Sequence, residues 1–230
     1  MKVLDYIKDL KKRVGCPYIY GAKQDKTHSK VTTLEQIKSL QRTYGKGYIW
    51  DSDLSKNGRT CCDCSGFIDY QFQKGYNSGM LLDNAEDVIS IRKSNGKIDT
   101  SKLYKVPLGA VLWQKGHVGV FIGYIGNIPY YIAQDGSRAN CRIAKLTDSG
   151  FTKALYNIKG YNLDYFKPCK YKVVRKTNGY TSNKAKIVKR TFKKGKKINA
   201  VYRLNNYVLC RKYSKNQDCW VSIRDLVEIK

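Results

Sequence analysis

Histidine is nearly absent from this chain, with two in 230 residues. Each of them therefore carries unusual weight. A matching pair of cysteines is also missing. Cys61 and Cys64 form a CxxC with Cys62 inside it, and no second pair completes a zinc-type spacing, so neither a metal nor a cofactor is expected. Acidic residues are scarce: 18 Asp and Glu face 44 Lys and Arg, for a net charge of +26. Such an excess points to a polyanionic partner, whether nucleic acid, an anionic membrane or another anionic polymer. No run of about 18 apolar residues occurs, which excludes a membrane-spanning helix. At the N-terminus, Met1 to Tyr6 mixes apolar and charged residues, so no secretory signal is expected. Eight cysteines in a chain read this way suggest synthesis in a reducing compartment. Cys210 and Cys219 could pair later, in an oxidising medium.

What is present reads as α+β. The length allows one or two domains, and 19 tyrosines suit β-rich packing and carbohydrate or peptide surfaces. Val3, Ile7, Leu10 and Val14 predict an amphipathic helix over 2–14. Thr32 and Glu35 suggest a capping box opening a second helix, with Leu34, Ile37, Leu40 and Tyr44 as its apolar stripe. His28 reads as a solvated loop residue, and 51–59 reads as loop, with Asn57-Gly58 as a turn. Ala85, Val88 and Ile89 suggest a short helix. Strands are expected over 110–114, 117–124, 130–134, 142–146 and 156–161, with a hairpin at Gly126-Asn127. Helices followed by antiparallel strands make a layered α+β fold.

The chemistry concentrates at Asp63-Cys64-Ser65-Gly66-Phe67. Asp63 is a good N-cap. Cys64 then falls in the first helical turn, where free amides and the dipole favour a thiolate. Gly66 allows another backbone to approach, and Phe67, Ile68 and Phe72 supply a buried face. A lone cysteine here would more often be core. The counterweight is Gly116-His117-Val118-Gly119-Val120-Phe121-Ile122-Gly123, a period-two strand that sets His117 between glycines on one face. A cysteine at a helix start with a distant strand histidine is the arrangement of a thiol nucleophile and its base.

These two segments resemble the NlpC-type cysteine peptidases, papain-like enzymes that cut bacterial cell-wall peptides. Two more segments agree in kind and order. Gly15-Cys16-Pro17-Tyr18-Ile19-Tyr20-Gly21 is similar to the family's Pro-Tyr-x-Tyr/Trp-Gly segment. Pro107-Leu108-Gly109-Ala110-Val111-Leu112 is similar to its Pro-Gly-Asp-Leu-Val strand, with an extra Leu108 and Ala110 in place of Asp. The resemblance covers about residues 1–160. It implies a papain-like catalytic domain over 1–166, with Cys64 as nucleophile and His117 as base. Gln134, or alternatively Asp135, would orient the imidazole. Tyr18 would face substrate or oxyanion, and Asp63 and Ser65 could contact the free amine of a stem peptide.

Tyr165-Phe166-Lys167-Pro168 reads as a linker. Residues 169–230 hold 18 Lys and Arg against 3 Asp and Glu, which is +15 of the whole. Short strands are expected over 171–175, 186–188, 197–202, 207–210 and 219–223, with a basic turn at Phe192–Lys197. About five such strands suggest a small barrel. The Lys-Lys-Gly-Lys-Lys turn and the closing Cys219-Trp220-Val221-Ser222-Ile223 resemble bacterial Src-homology-3-like (SH3-like) wall-binding modules. Together the resemblances imply a peptidoglycan hydrolase held on anionic wall polymers, with attachment weakened by salt. A γ-D-glutamyl endopeptidase is expected first and an N-acetylmuramoyl-L-alanine amidase second. The chain would be made in the cytoplasm and released to the wall, as phage endolysins are. An acyltransferase or toxin on the same scaffold would keep these residues. A basic nucleic-acid-binding protein would explain the charge but leave Cys64 and His117 without a role.

Overall fold

Val3, Tyr6, Ile7 and Leu10 recur at helical spacing, and α1 (Val3–Lys11) buries all four. The computed structural model describes residues 1–125, 128–136, 140–181, 187–204, 206–211 and 219–229. α2 (Leu34–Tyr44) opens on a capping box one residue later than expected. Thr33 Oγ1 accepts from the Gln36 N–H, and Gln36 Oε1 accepts from the Thr33 N–H. Thr32 has the right composition for a cap, but its N–H donates to Arg59 O at 2.9 Å. That tertiary pairing keeps Thr32 extended and moves the helix start. α3 (Cys64–Asp69) has six residues, all buried. A helix this short does not stand alone. It is held by Phe67 and Ile68, which share a core with Val118, Val120 and Leu155. α4 (Ser78–Asp83) is capped by Asn77.

The short helix expected around Val88 is instead a strand, β1 (Ala85–Ser90). Ala85, Asp87 and Ile89 turn inward while Glu86, Val88 and Ser90 are exposed. That alternation has period two, and pairing with a later strand fixes it. β2 (Val111–Gln114), β3 (His117–Ile125), β4 (Ile128–Asp135), β5 (Asn140–Lys145) and β6 (Lys153–Ile158) complete the sheet. Its order is β1-β6-β2-β3-β4-β5, antiparallel throughout. The expected turn at Gly126-Asn127 lies outside the described residues. Val111, Val118, Val120, Ile132 and Leu155 form the face under α3. Leu112, Phe121, Ala133 and Ala154 form the other face, with Phe151 and the α1 residues Val3 and Ile7.

Residues 169–229 form a second antiparallel sheet. Its strands are β7 (Cys169–Val173), β8 (Thr177–Tyr180), β9 (Val188–Phe192), β10 (Lys197–Leu204), β11 (Tyr207–Arg211), β12 (Cys219–Ser222) and β13 (Leu226–Ile229). The order is β13-β7-β10-β11-β12-β8-β9. Among the described residues this is an open sheet of seven strands, not the closed barrel of about five that the sequence suggested. The two strands that the sequence did not suggest are β8 and β13, and β13 and β9 close the two ends of the ladder. Lys186, placed in a strand by sequence, lies outside the described residues. The basic turn between Phe192 and Lys197 is present, with Gly195 at φ +85° where a side chain would be strained. Tyr171, Val173, Ile198, Val208 and Val221 make this sheet's core. Leu209 and Trp220 pack against the core of the first sheet. Among the described residues no helix is long and apolar enough to cross a membrane.

Cys210 and Cys219 are buried, and they sit directly opposite one another on β11 and β12. Opposed residues in an antiparallel pair have Cα atoms about 4.5–5.5 Å apart, inside the range a disulfide spans. Oxidised glutathione is therefore expected to link them, removing two hydrogen atoms from the mass of the peptide that contains both. Recovery of both as separately alkylated thiols after oxidation would contradict this pairing.

Candidate functional site

Asp63 begins the site as the N-cap of α3. Its carboxylate accepts from the Gly66 N–H at 2.5 Å and from the Ser65 hydroxyl at 2.9 Å. The Lys23 ammonium reaches both carboxylate oxygens at 3.1 Å and Ser65 Oγ at 2.6 Å. Gly66 is needed here because a Cβ would lie 2.7 Å from the Ala22 carbonyl oxygen. That carbonyl accepts from the Asp63 N–H at 2.9 Å. The segment carrying Tyr18 is thus docked against the start of α3. A parallel bridge joins Tyr18 to Cys62, and Ile19 N–H donates to Cys62 O.

Cys64 follows the cap and is 8% exposed. The backbone amides of Val118 and Ser65 lie where they favour a thiolate at its sulfur. The sequence favoured a thiolate at this helix start. Instead, burial pushes the thiol up to about 11, with Asp63 adding to the rise; the Val118 amide, Lys23 and the Ser65 amide pull the other way. One turn of helix cannot offset desolvation and an adjacent carboxylate together. At pH 8 the resting thiol is therefore protonated.

His117 is half-buried and stacks on Phe151, with ring centroids 5.5 Å apart and planes 13° apart. Burial lowers its pKa and Arg142 adds to the effect, while Asp135 opposes it. The imidazole is therefore neutral at pH 7 and able to accept a proton. Strand alternation places its side chain on the Phe151 face of β3, whereas Val118 faces Cys64. No hydrogen bond joins the Cys64 thiol to the imidazole. The backbone still brings them close, since the Val118 amide at the sulfur is bonded to the His117 carbonyl carbon. His117 Cα is about 2.4 Å from that nitrogen by peptide geometry.

Gln134 does not reach His117. It is fully buried on the Cys64 face, its Nε2 donates to Cys16 O at 2.9 Å, and its Oε1 has no partner. Asp135 is on the His117 face by alternation and holds Arg142 through Nε at 2.8 Å. Of the two candidates for orienting the imidazole, the geometry supports Asp135. Tyr18 lies beside the thiol, and its hydroxyl is held protonated chiefly by burial and then by Cys64 and Asp63. Lys56 pins the segment by donating to Tyr18 O at 2.8 Å. Asp63 and Ser65, read as contacts for a substrate amine, are occupied by Lys23. Nothing in the spacing of the sequence announced that lysine.

His28 is a correction to the sequence reading. It is 2% exposed rather than solvated, and its Nε2 lies 3.4 Å from Cys62 Sγ. A left-handed backbone at φ 55° turns it inward, edge-on to Tyr70. Burial raises Cys62 well above the usual thiol range and lowers His28. This neutral pair is the one Cys–His hydrogen bond among the described residues, and Cys62 is wholly inaccessible. Among the described residues no group of three or more His, Cys, Asp or Glu is arranged to hold a metal ion. A cavity of about 430 Å³ between Tyr156 and Ala200 is lined by neither Cys64 nor His117. Compared with protein-family models, curated proteins and solved structures, the chain matches none.

The charges around Cys64 give its reactivity a definite sign. Asp63→Asn keeps a capping side chain and removes the anion that disfavours the thiolate, so the Cys64 pKa is expected to fall. Lys23→Met removes a cation that favours the thiolate, and the pKa is expected to rise. Alkylation of the Cys64 peptide by iodoacetamide as a function of pH measures both. Shifts in the same direction would refute this electrostatic account.

Proposed function

We propose that the chain is a peptidoglycan hydrolase with Cys64 as nucleophile. The observation that carries the reading is the placement of Cys64 at a capped helix start, against the amide that follows His117. The resemblance to NlpC-type peptidases, which covers about residues 1–160, supports it. On this reading 169–230 is an SH3-like module whose positive charge holds the enzyme on anionic wall polymers, and the enzyme acts on the wall after release from the cell that makes it.

The sulfur attacks an amide carbonyl carbon of the stem peptide while His117 takes the thiol proton. Because the thiol is protonated and the imidazole neutral at rest, the proton moves during attack rather than before it. The mechanism requires the His117 ring to leave Phe151 and reach around the end of the sheet where β3 begins, with Asp135 stabilising the imidazolium. Amides at the start of α3 and the Tyr18 hydroxyl stabilise the oxyanion. The C–N bond breaks, His117 protonates the leaving amine, and a thioester remains on Cys64. Water, deprotonated by His117, attacks the thioester to give a carboxylate and restore the thiol.

Cleavage after γ-D-glutamyl residues is the first reading for the bond. Cleavage between sugar and L-alanine is the second, and the occupation of Asp63 and Ser65 by Lys23 favours it, because a free substrate amine has no vacant partner there.

Purified Gram-positive peptidoglycan digested in parallel by wild type, Cys64→Ala, His117→Ala and Cys62→Ala tests the proposal, with mass spectrometry of the released termini. Wild type and Cys62→Ala are expected to cut. Cys64→Ala and His117→Ala are expected to lose activity by on the order of a thousandfold or more. Full cleavage by Cys64→Ala, or loss confined to Cys62→Ala, would overturn it. Salt-sensitive DNA retention by a wild type that leaves walls intact would favour the nucleic-acid reading.

A further inference from the structure

The segment between α2 and Cys61 carries aromatic side chains that the fold does not bury. Tyr48 is 61% exposed and Trp50 is 59% exposed. With Tyr18, Tyr20, Lys56 and Gly136 they line an open cleft of about 380 Å³. Tyr20 packs against Tyr48 with centroids 4.8 Å apart, and Tyr44 meets Tyr20 edge-on at 5.1 Å. The wall is therefore braced from behind while its outer rings stay open. The cleft is fixed to the thiol site by Tyr18, which lines one and adjoins the other. Its floor is held too: Asp53 accepts from the Trp50 N–H at 2.8 Å and from Lys56 at 2.5 Å, and Lys56 also bonds Tyr18 O.

We propose that this cleft is a saccharide subsite, taking a pyranose ring of the glycan strand while the attached stem peptide reaches Cys64. The proposal rests on the peptidoglycan reading and specifies its substrate as peptide still linked to sugar. The apolar face of a pyranose stacks on flat aromatic rings, and its hydroxyls need polar groups at the rim; Ser52 and the Tyr18 and Tyr48 hydroxyls supply them. Charge argues against a nucleotide in this cleft. Lys56 is neutralised by Asp53 at 2.5 Å, and Lys46 by Asp51 at 3.2 Å, so a phosphate would meet carboxylates with their cations engaged. On the same reading, Lys23 fills the positions on Asp63 and Ser65 that the family resemblance gives to a free N-terminus, which suits a substrate whose amine is linked to sugar.

The test is calorimetric titration of full-length Cys64→Ala with a disaccharide-linked stem peptide, the same peptide without sugar, the disaccharide alone and a short single-stranded oligonucleotide. The sugar-linked peptide is expected to bind at least about tenfold more tightly than the free peptide, a gain of about 1.4 kcal/mol. Trp50→Ala and Tyr48→Ala, both at exposed positions, are each expected to remove that advantage and leave free-peptide affinity unchanged. Equal affinity for the two peptides, an advantage that survives both substitutions, or oligonucleotide binding abolished by them would overturn the subsite. Disaccharide binding by a protein whose wild type cuts no peptidoglycan would uphold the subsite and sink the hydrolase reading alone.

Discussion

The carboxylate of Asp63 is the point at which the site is tied together. It caps α3 through Gly66, holds Ser65 and receives Lys23, while its own N–H is bonded to Ala22. A cap of this kind contributes about 1 kcal/mol, and the partly exposed Lys23 pair adds less than about 1 kcal/mol. Neither would hold a six-residue helix by itself. Phe67 and Ile68 supply the burial, and Asp63 sets where the helix begins and hence where Cys64 lies relative to Val118. The same carboxylate disfavours the thiolate beside it. One group therefore both positions the thiol and adds to the burial that keeps it protonated.

That coupling shapes the proposed chemistry. A buried thiol near 11 and a neutral imidazole describe a resting site without an ion pair. The imidazole rests on Phe151, so on the proposed reading proton transfer to His117 belongs to the substrate-bound state. Burial chiefly disfavours protonation of the imidazole, and Asp135 and Arg142, on the same face of the sheet, pull in opposite directions on it. Cys62 and His28 are a useful contrast. They have the hydrogen bond that Cys64 and His117 lack, but no access for a substrate. Proximity alone would select Cys62, which is wholly inaccessible, whereas the proposed nucleophile Cys64 keeps 8% exposure.

Much of this was legible in the sequence where local pattern and tertiary context agree. The period-two run from His117, the Asp63 cap and the close approach at Gly66 rest on short-range physics, and the folded chain keeps them. Where two patterns were equally available, context decided. Thr32 and Thr33 both suit a cap, and pairing with Arg59 selected Thr33. Ala85, Val88 and Ile89 fit a helix by composition, but β6 offered a partner and imposed alternation. His28 looked solvated because its neighbours are polar, and only a left-handed backbone turn reveals its burial. Gln134 and Asp135 differ by one residue, which in a strand means opposite faces, so the choice between them depended on register. Lys23 at Asp63 and the open rings of Tyr48 and Trp50 depend on contacts between distant segments, which no periodicity encodes.

The central claim is that Cys64 forms a covalent bond to substrate with help from His117. Acid quenching of the protein during turnover of stem peptide, followed by peptide mapping, tests it most directly. The account expects a thioester on the Cys64 peptide, carrying the acyl half of the substrate, and its loss in His117→Ala. Turnover with no adduct at Cys64, or an adduct at Cys62 instead, would contradict it.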